Sequence, residues 1–281
     1  MITIKNKEYR LPDAIIIGCQ KSGTTALKYY LAQHPDIYAT NDELHYFDQR
    51  EHKGIEWYLS HFTGRTEKIT MCKTPAYIFF PEIPAKIKEM RQDIKLIVLL
   101  REPVSRAYSE YMMQHLKGVM PYSFEHLVFD EDGKVDTNRV CIKRGMYAKQ
   151  LENLYQYFDK SQVLVLKAED LKTDRQNIIN IVCDFLEIDR FVPADQSDRH
   201  VGGQPKYKII ERLTGIFTII QGINKKRFEW IQWIATKCIR ILKHFNRTRG
   251  YEPMKDSTRE KLERFFEPHN AELEVLEGIR W

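Results

Sequence analysis

Two stretches of the chain hold residue types that could grip a phosphate or sulfate group. The first is AIIIGCQKSGTTA, residues 14–26. Residues 14–17 form an apolar, β-branched run that reads as a buried strand, and Leu27, Tyr30 and Leu31 follow at helical spacing. The loop between them feeds a strand into a helix, so its backbone N–H groups and the positive end of the helix dipole would face an anion. Gly18 and Gly23 bracket four residues. A lysine directly after the second glycine would rise from the first helical turn toward β- and γ-phosphates. Thr24 stands there instead, and the only lysine, Lys21, is inside the loop. So placed, it lies over whatever is attached to the first phosphate, which suits a nucleotide with a short reactive end. The same glycine spacing also arises by chance in unrelated strand-turn-helix units.

The second stretch is LLREPVSRAYSEY, residues 99–111. It closes an apolar run, and Arg101 occupies the point at which an NTP-hydrolysing site would present an aspartate to magnesium. A guanidinium there is a phosphate fork, not a metal ligand. Ser109 follows eight residues later, about two helical turns on, with a hydroxyl able to approach the same anion. The plainer alternative is an ion pair of Arg101 with Glu102 or Glu110.

The elements that must position these groups are legible as alternation. Further strands are predicted over residues 68–74, 94–100 and 162–171, and helices over 81–92, 103–117 and 145–158. Nearly continuous apolar strands alternating with helices indicate an α/β fold in which a parallel sheet is covered on both faces, with the ligand at the carboxyl ends of the strands. Thr173 with Gln176 and Ser257 with Glu260 resemble capping boxes opening two later helices. Residues 189–206 read as a surface connection, and 207–245 as two helices both basic and aromatic. Their packing on the core is favoured over contact with a membrane surface.

The composition suits a soluble globular protein: 281 residues, 43% hydrophobic, 30% charged, net charge +5 and a pI near 8.8. That mild basic excess fits phosphorylated ligands, and no block of Lys and Arg points to nucleic acid. Five scattered cysteines, never spaced C-x-x-C, argue against a disulfide framework and a zinc site. His45 and His52 with Asp48 and Glu51 are conceivable metal ligands, but no helix-face pattern supports them, so no metal is expected. No run is long enough to span a bilayer and the N-terminus has no apolar signal core, from which a cytoplasmic protein is expected.

Taken together, GCQKSGTTAL and LLREPVSRAYSEY resemble the 5′-phosphosulfate loop and the 3′-phosphate motif of sulfotransferases that use 3′-phosphoadenosine 5′-phosphosulfate (PAPS). NDELHYFD, KGIEWYLSHF, CKTPAYIF, RGMYAKQLENLYQYF and the ending EKLERFFEPHNAELEVLEGIRW are similar to the heparan sulfate 3-O-sulfotransferases, to the sulfotransferase domain of the heparan N-deacetylase/N-sulfotransferases, and to their bacterial members. The resemblance implies a P-loop-like three-layer α/β/α fold with a central parallel sheet of about four to five strands, plus C-terminal helices. It also implies one sulfotransferase domain over 1–281. A nucleotide-binding core spans 10–190, a helical insertion near the acceptor site 207–245, and a segment returning to the core 247–281.

Carried over by position, the resemblance implies that Lys21, Ser22, Gly23, Thr24 and Thr25 bind the 5′-phosphosulfate, and Arg101 and Ser109 the 3′-phosphate. Tyr147, Arg247, Arg249 and Gly250 match regions that complete the nucleotide pocket, Glu43 matches the catalytic base, and His45 and Lys73 match neighbouring catalytic-site residues. Such a site would transfer a sulfuryl group from PAPS to a hydroxyl or amine of a small-molecule or saccharide acceptor, leaving PAP. A base would take the acceptor proton, and cations would hold the charge on the transferring oxygens. Residues 207–245 fit the animal heparan enzymes poorly, which leaves the acceptor open. Glu43 could otherwise simply pair with Lys28 or Arg50, and His45 could orient or pack as well as act directly. The competing functions are an NTP-dependent P-loop kinase and a non-catalytic nucleotide-binding protein at a membrane surface.

Overall fold

The computed structural model describes residues 1–116, 119–120, 122–197 and 253–281. The helices expected over 207–245 and the residues Arg247, Arg249 and Gly250 lie outside the described residues. The chain opens with an antiparallel hairpin, β1 (Ile2–Ile4) and β2 (Lys7–Tyr9), unforeseen in the sequence. Its two loop residues, Lys5 and Asn6, both have positive φ, the conformation that matches a two-residue turn to the twist of its strands.

The core then runs β3 (Ala14–Gly18), α1 (Thr24–Leu31), β4 (Ile37–Ala39), α2 (Ile55–Ser60), β5 (Ile69–Lys73), α3 (Ile83–Met90), β6 (Lys95–Leu100), α4 (Pro103–Leu116), α5 (Phe124–Val128), α6 (Val140–Lys143), α7 (Tyr147–Tyr155), β7 (Val163–Lys167), α8 (Asp170–Thr173), α9 (Arg175–Leu186) and α10 (Asp256–Glu277). Five strands pair in parallel in the order β4-β5-β3-β6-β7. The three-residue β4 is the strand the apolar pattern missed.

Because side chains alternate across a strand, each strand feeds both faces. Ile15 and Ile17 of β3 and Leu96, Val98 and Leu100 of β6 pack with Tyr58 of α2, Ile83 of α3, Leu151 of α7 and Leu273 of α10. Ala14, Ile16, Ile97 and Leu99 face the other way, onto Leu27 and Leu31 of α1 and Ile179 and Val182 of α9. A satellite cluster joins Val104 of α4, Phe124 of α5, Ile142 of α6 and Phe266 of α10. Among the described residues no helix is long and apolar enough to cross a membrane.

Two helix starts differ from the sequence reading. The α9 cap is Asp174, whose carboxylate accepts from the Asn177 amide, while the Thr173 hydroxyl bonds backward to Glu169. The α10 helix begins at Asp256 after Lys255, with no side-chain cap. In both cases the chain enters the helix one or two residues away from the motif's register.

From β3 the chain goes outward through β4 and β5 on one side and later through β6 and β7 on the other. The carboxyl end of β3 is therefore the point where connections diverge, and such a divergence opens a crevice over the strand ends. Gly18 ends β3 there, and a Cβ on it would sit 2.6 Å from the Ile78 side chain. Only glycine lets the strand turn so close under the 77–79 segment.

Candidate active site

The loop from Gly18 to α1 is shaped by two left-handed residues, Lys21 (φ 70°) and Gly23 (φ 86°). Alternating backbone hand turns successive N–H groups inward, which makes a concave anion cradle. Gly23 caps α1 without a side-chain bond, and the amides of Gly23, Thr24 and Thr25 have no acceptor among the described residues. The Ser22 hydroxyl is 1% exposed and also has no partner there. A buried orphan hydroxyl beside three unspent amides costs free energy unless an acceptor arrives. Cys19 does not supply a nucleophile, because burial pushes its thiol up to about 12.

Arg101 follows β6 and donates through Nη1 to the Lys21 carbonyl at 3.1 Å, so the fork leans over the loop. It makes no ion pair among the described residues, and both carboxylates considered as its partners are otherwise engaged. Glu102 caps α4 by accepting from the amides of Val104 and Ser105, each at 2.7 Å. Glu110 holds Arg106 and Arg144. Ser109 is buried on α4. Lys21 points across to the same helix, with Nζ 3.3 Å from the Met113 sulfur.

Tyr147 is placed differently from a pocket-lining residue. It is 1% exposed, and its hydroxyl donates to the Arg101 carbonyl at 2.7 Å, so it props the backbone of the fork. Burial raises its phenol well above the ordinary tyrosine value, which keeps the proton it donates. On the same side Glu169 accepts from the Glu102 amide at 3.3 Å and from the Trp281 indole at 3.2 Å.

The acidic residue expected as base is part of a continuous chain of contacts. Glu43 accepts from Lys73 Nζ at 2.5 Å, and Lys73, 4% exposed, also donates to the Thr25 hydroxyl at 2.7 Å. The other Glu43 oxygen lies 3.2 Å from His45 Nε2, and His45 Nδ1 lies 2.8 Å from Asp48 Oδ2. His45 thus lies between two carboxylates, with one ring nitrogen directed at each. Neither alternative partner holds Glu43: Lys28 donates instead to two backbone carbonyls, and Arg50 to the Leu44 carbonyl.

Glu51, one of the conceivable metal ligands, pairs with Lys86. Among the described residues no three His, Cys, Asp or Glu side chains are grouped so as to hold a metal ion. Sequence reasoning weighed Asp48 only as a metal ligand and Glu102 only as an ion-pair partner of Arg101, and overlooked Glu169. For Glu102 the signal was present, since an acidic residue directly before Pro103 is a helix-start pattern.

Residues 11–201 match the sulfotransferase domain family. The chain belongs to that family. It is 41% identical over 194 residues to heparan sulfate glucosamine 3-O-sulfotransferase 3A1 of Mus musculus, covering 68% of this chain and 48% of that protein. With heparan sulfate glucosamine 3-O-sulfotransferase 5 of Homo sapiens it shares 31% identity over 282 residues, covering 97% of this chain and 74% of that one. The chain thus spans about half the length of several curated relatives it matches. A sulfotransferase from Alicyclobacillus acidocaldarius superposes with a TM-score of 0.60 at 24% identity, over 84% of this chain and 96% of that one. This sulfotransferase domain has the same P-loop-like α/β architecture, and its loop, fork and Glu43 chain all sit at the carboxyl edge of the sheet.

Proposed function

We propose that this domain transfers a sulfuryl group from PAPS to a hydroxyl or amine of a saccharide or small-molecule acceptor, with Glu43 as general base. The observation that carries the reading is the Glu43–Lys73–Thr25 contact, which ties the Glu43 carboxylate to the first turn of α1. The names of the matched relatives favour a saccharide hydroxyl among these acceptors.

The residues present fit such a nucleotide. The Ser22 hydroxyl and the amides of Gly23, Thr24 and Thr25 are suited to the 5′-phosphosulfate, and Arg101 with Ser109 to the 3′-phosphate. When bound, PAPS supplies a sulfuryl group on a phosphate leaving group. Glu43 removes the acceptor proton, and Lys73 and Lys21 hold negative charge where it accumulates. His45, fixed by Asp48, keeps Glu43 oriented. We take transfer to be metal-independent and cytoplasmic, with Lys21, Lys73 and Arg101 supplying the charge that a divalent cation gives a kinase. An NTP-dependent kinase is the weaker reading, because Thr24 stands where its lysine belongs and Arg101 where its aspartate belongs.

The test is a PAPS-dependent transfer screen over hydroxyl and amine acceptors in EDTA, read by the mass gain of one sulfuryl group. PAP should also raise the melting temperature without magnesium, whereas ATP with magnesium should do little. Stabilisation by ATP alone, with no transfer from PAPS, would reverse the reading. Within it, Arg101→Ala should weaken PAP about 10- to 100-fold by calorimetry, the loss of a charged hydrogen-bond partner. Unchanged affinity would remove Arg101 from the 3′-phosphate site.

A further inference from the structure

Lys28 lies one turn inside α1, three residues after Thr25, and its ammonium does not meet a carboxylate. It donates to the carbonyl of Thr40 at 2.6 Å and to that of Asn41 at 2.7 Å. Those two residues follow the end of β4 and lead directly into Asp42 and Glu43. Apart from the contacts of the Glu43 carboxylate with Lys73 and His45, the rest of the segment's anchoring is sparse: the Thr40 amide donates to Met71 at 3.0 Å, its hydroxyl to the Asp42 carbonyl at 3.1 Å, and Arg50 reaches the Leu44 carbonyl at 3.3 Å. Neither Asn41 nor Asp42 belongs to a strand or helix. The helix that begins at the anion cradle is thus bolted directly, through the Lys28 side chain, to the backbone of the segment that carries the base, beside the Thr25–Lys73–Glu43 bridge.

We propose that Lys28 is a positioning residue for sulfuryl transfer, holding the 40–43 segment against α1 so that Glu43 stays in register with the loop; this rests on the function proposed above. An ammonium is well suited to the task because its three protons radiate from one point and can bridge neighbouring carbonyls, which a hydroxyl or amide side chain of α1 cannot reach. The placement is held against opposing forces. Burial and the nearby Lys73 charge lower the Lys28 pKa, and Asp42 and Glu43 offset only part of this. Lys73 fixes the carboxylate of Glu43 while Lys28 fixes the backbone two and three residues before it, and both sets of bonds originate or end on the first two turns of α1. Donor site and base are therefore coupled through one short helix.

The experiment compares Lys28→Met, which keeps the stem and removes the donors, with Lys28→Arg, which keeps charge and two donors. Hydrogen exchange by mass spectrometry should rise in a peptide spanning 40–45 in Lys28→Met and stay unchanged over 18–24. The turnover number kcat should fall about 10- to 100-fold with KM for PAPS and PAP affinity within about twofold, the pattern of a misplaced base and an intact nucleotide site. Lys28→Arg should recover most of both losses. Wild-type exchange over 40–45 in Lys28→Met, or wild-type kcat, would overturn the proposal. If the unmodified protein sulfates no acceptor, the functional reading fails, while the exchange measurement still decides whether Lys28 holds the segment.

Discussion

Glu43→Gln is expected to lower transfer by roughly 10²- to 10⁴-fold, the usual contribution of a general base, while PAP binds as well as before or slightly better. The substitution keeps size and leaves an amide oxygen to accept from Lys73, so the bridge to Thr25 can persist. It removes the capacity to take the acceptor proton. It also removes a negative charge close to an anionic ligand, which sets the direction expected for PAP. Weaker PAP binding would mean that Glu43 serves to order Lys73 and the loop and not to accept a proton. His45→Ala is the necessary comparison, because His45 bridges Glu43 and Asp48 at 3.2 and 2.8 Å. If Glu43→Gln retains near-normal transfer and His45→Ala loses it with PAP affinity intact, the base is His45. Single-turnover transfer and calorimetry with PAP separate these outcomes.

Much of this arrangement was legible because it is local in the chain. The strands at Ala14–Gly18, Ile69–Lys73 and Lys95–Leu100 are buried on both faces, and the edge strand Val163–Lys167 partly so, and they read as apolar runs. The anion cradle was legible in its glycines, since positive φ at Gly23 is what the glycine is for. What escaped was short or non-local. Ile37–Ala39 has too few residues for a period to show, and its strand identity comes from pairing with Ile69–Met71. The contact of Lys73 with Thr25 spans 48 residues and exists because β5 lies beside β3 in register. Pattern alone also could not tell that Lys28 would choose carbonyls over Glu43, since both partners are within its reach on the same segment. Tyr147 lay in a matching motif, yet whether it lines the pocket or props Arg101 from below depends on how α7 packs under β6, and that depth is tertiary information.

Arg106 marks the same limit and carries the other large expectation: Arg106→Ala should destabilise the fold by roughly 3–5 kcal/mol, the cost of stranding one partner of a buried ion pair. In LLREPVSRAYSEY the strand-end position points to Arg101 as the phosphate fork, but nothing in the sequence says what Arg106 does. The two environments separate them. Arg101 is half-buried and leans on a loop carbonyl, whereas Arg106 is 0% exposed, pairs with Glu110 at 2.8 Å and donates to the Cys141 carbonyl. Burial by itself would lower the pKa of that guanidinium; the net direction is nevertheless upward, and the paired Glu110 carboxylate is the anion that keeps it charged. Removing it leaves a buried cavity, an unbonded Cys141 carbonyl, and Glu110 with Arg144 alone at 2.5 Å. Because Arg144 is partly exposed, that remaining pair can be hydrated, which places the cost within the range and not above it. Urea denaturation of Arg106→Ala against Arg101→Ala decides the assignment. The first should lose stability and, measured on the folded fraction, keep most of its PAP affinity. The second should keep its stability and lose affinity. A reversal of the two would make Arg106 the phosphate ligand and Arg101 the structural arginine.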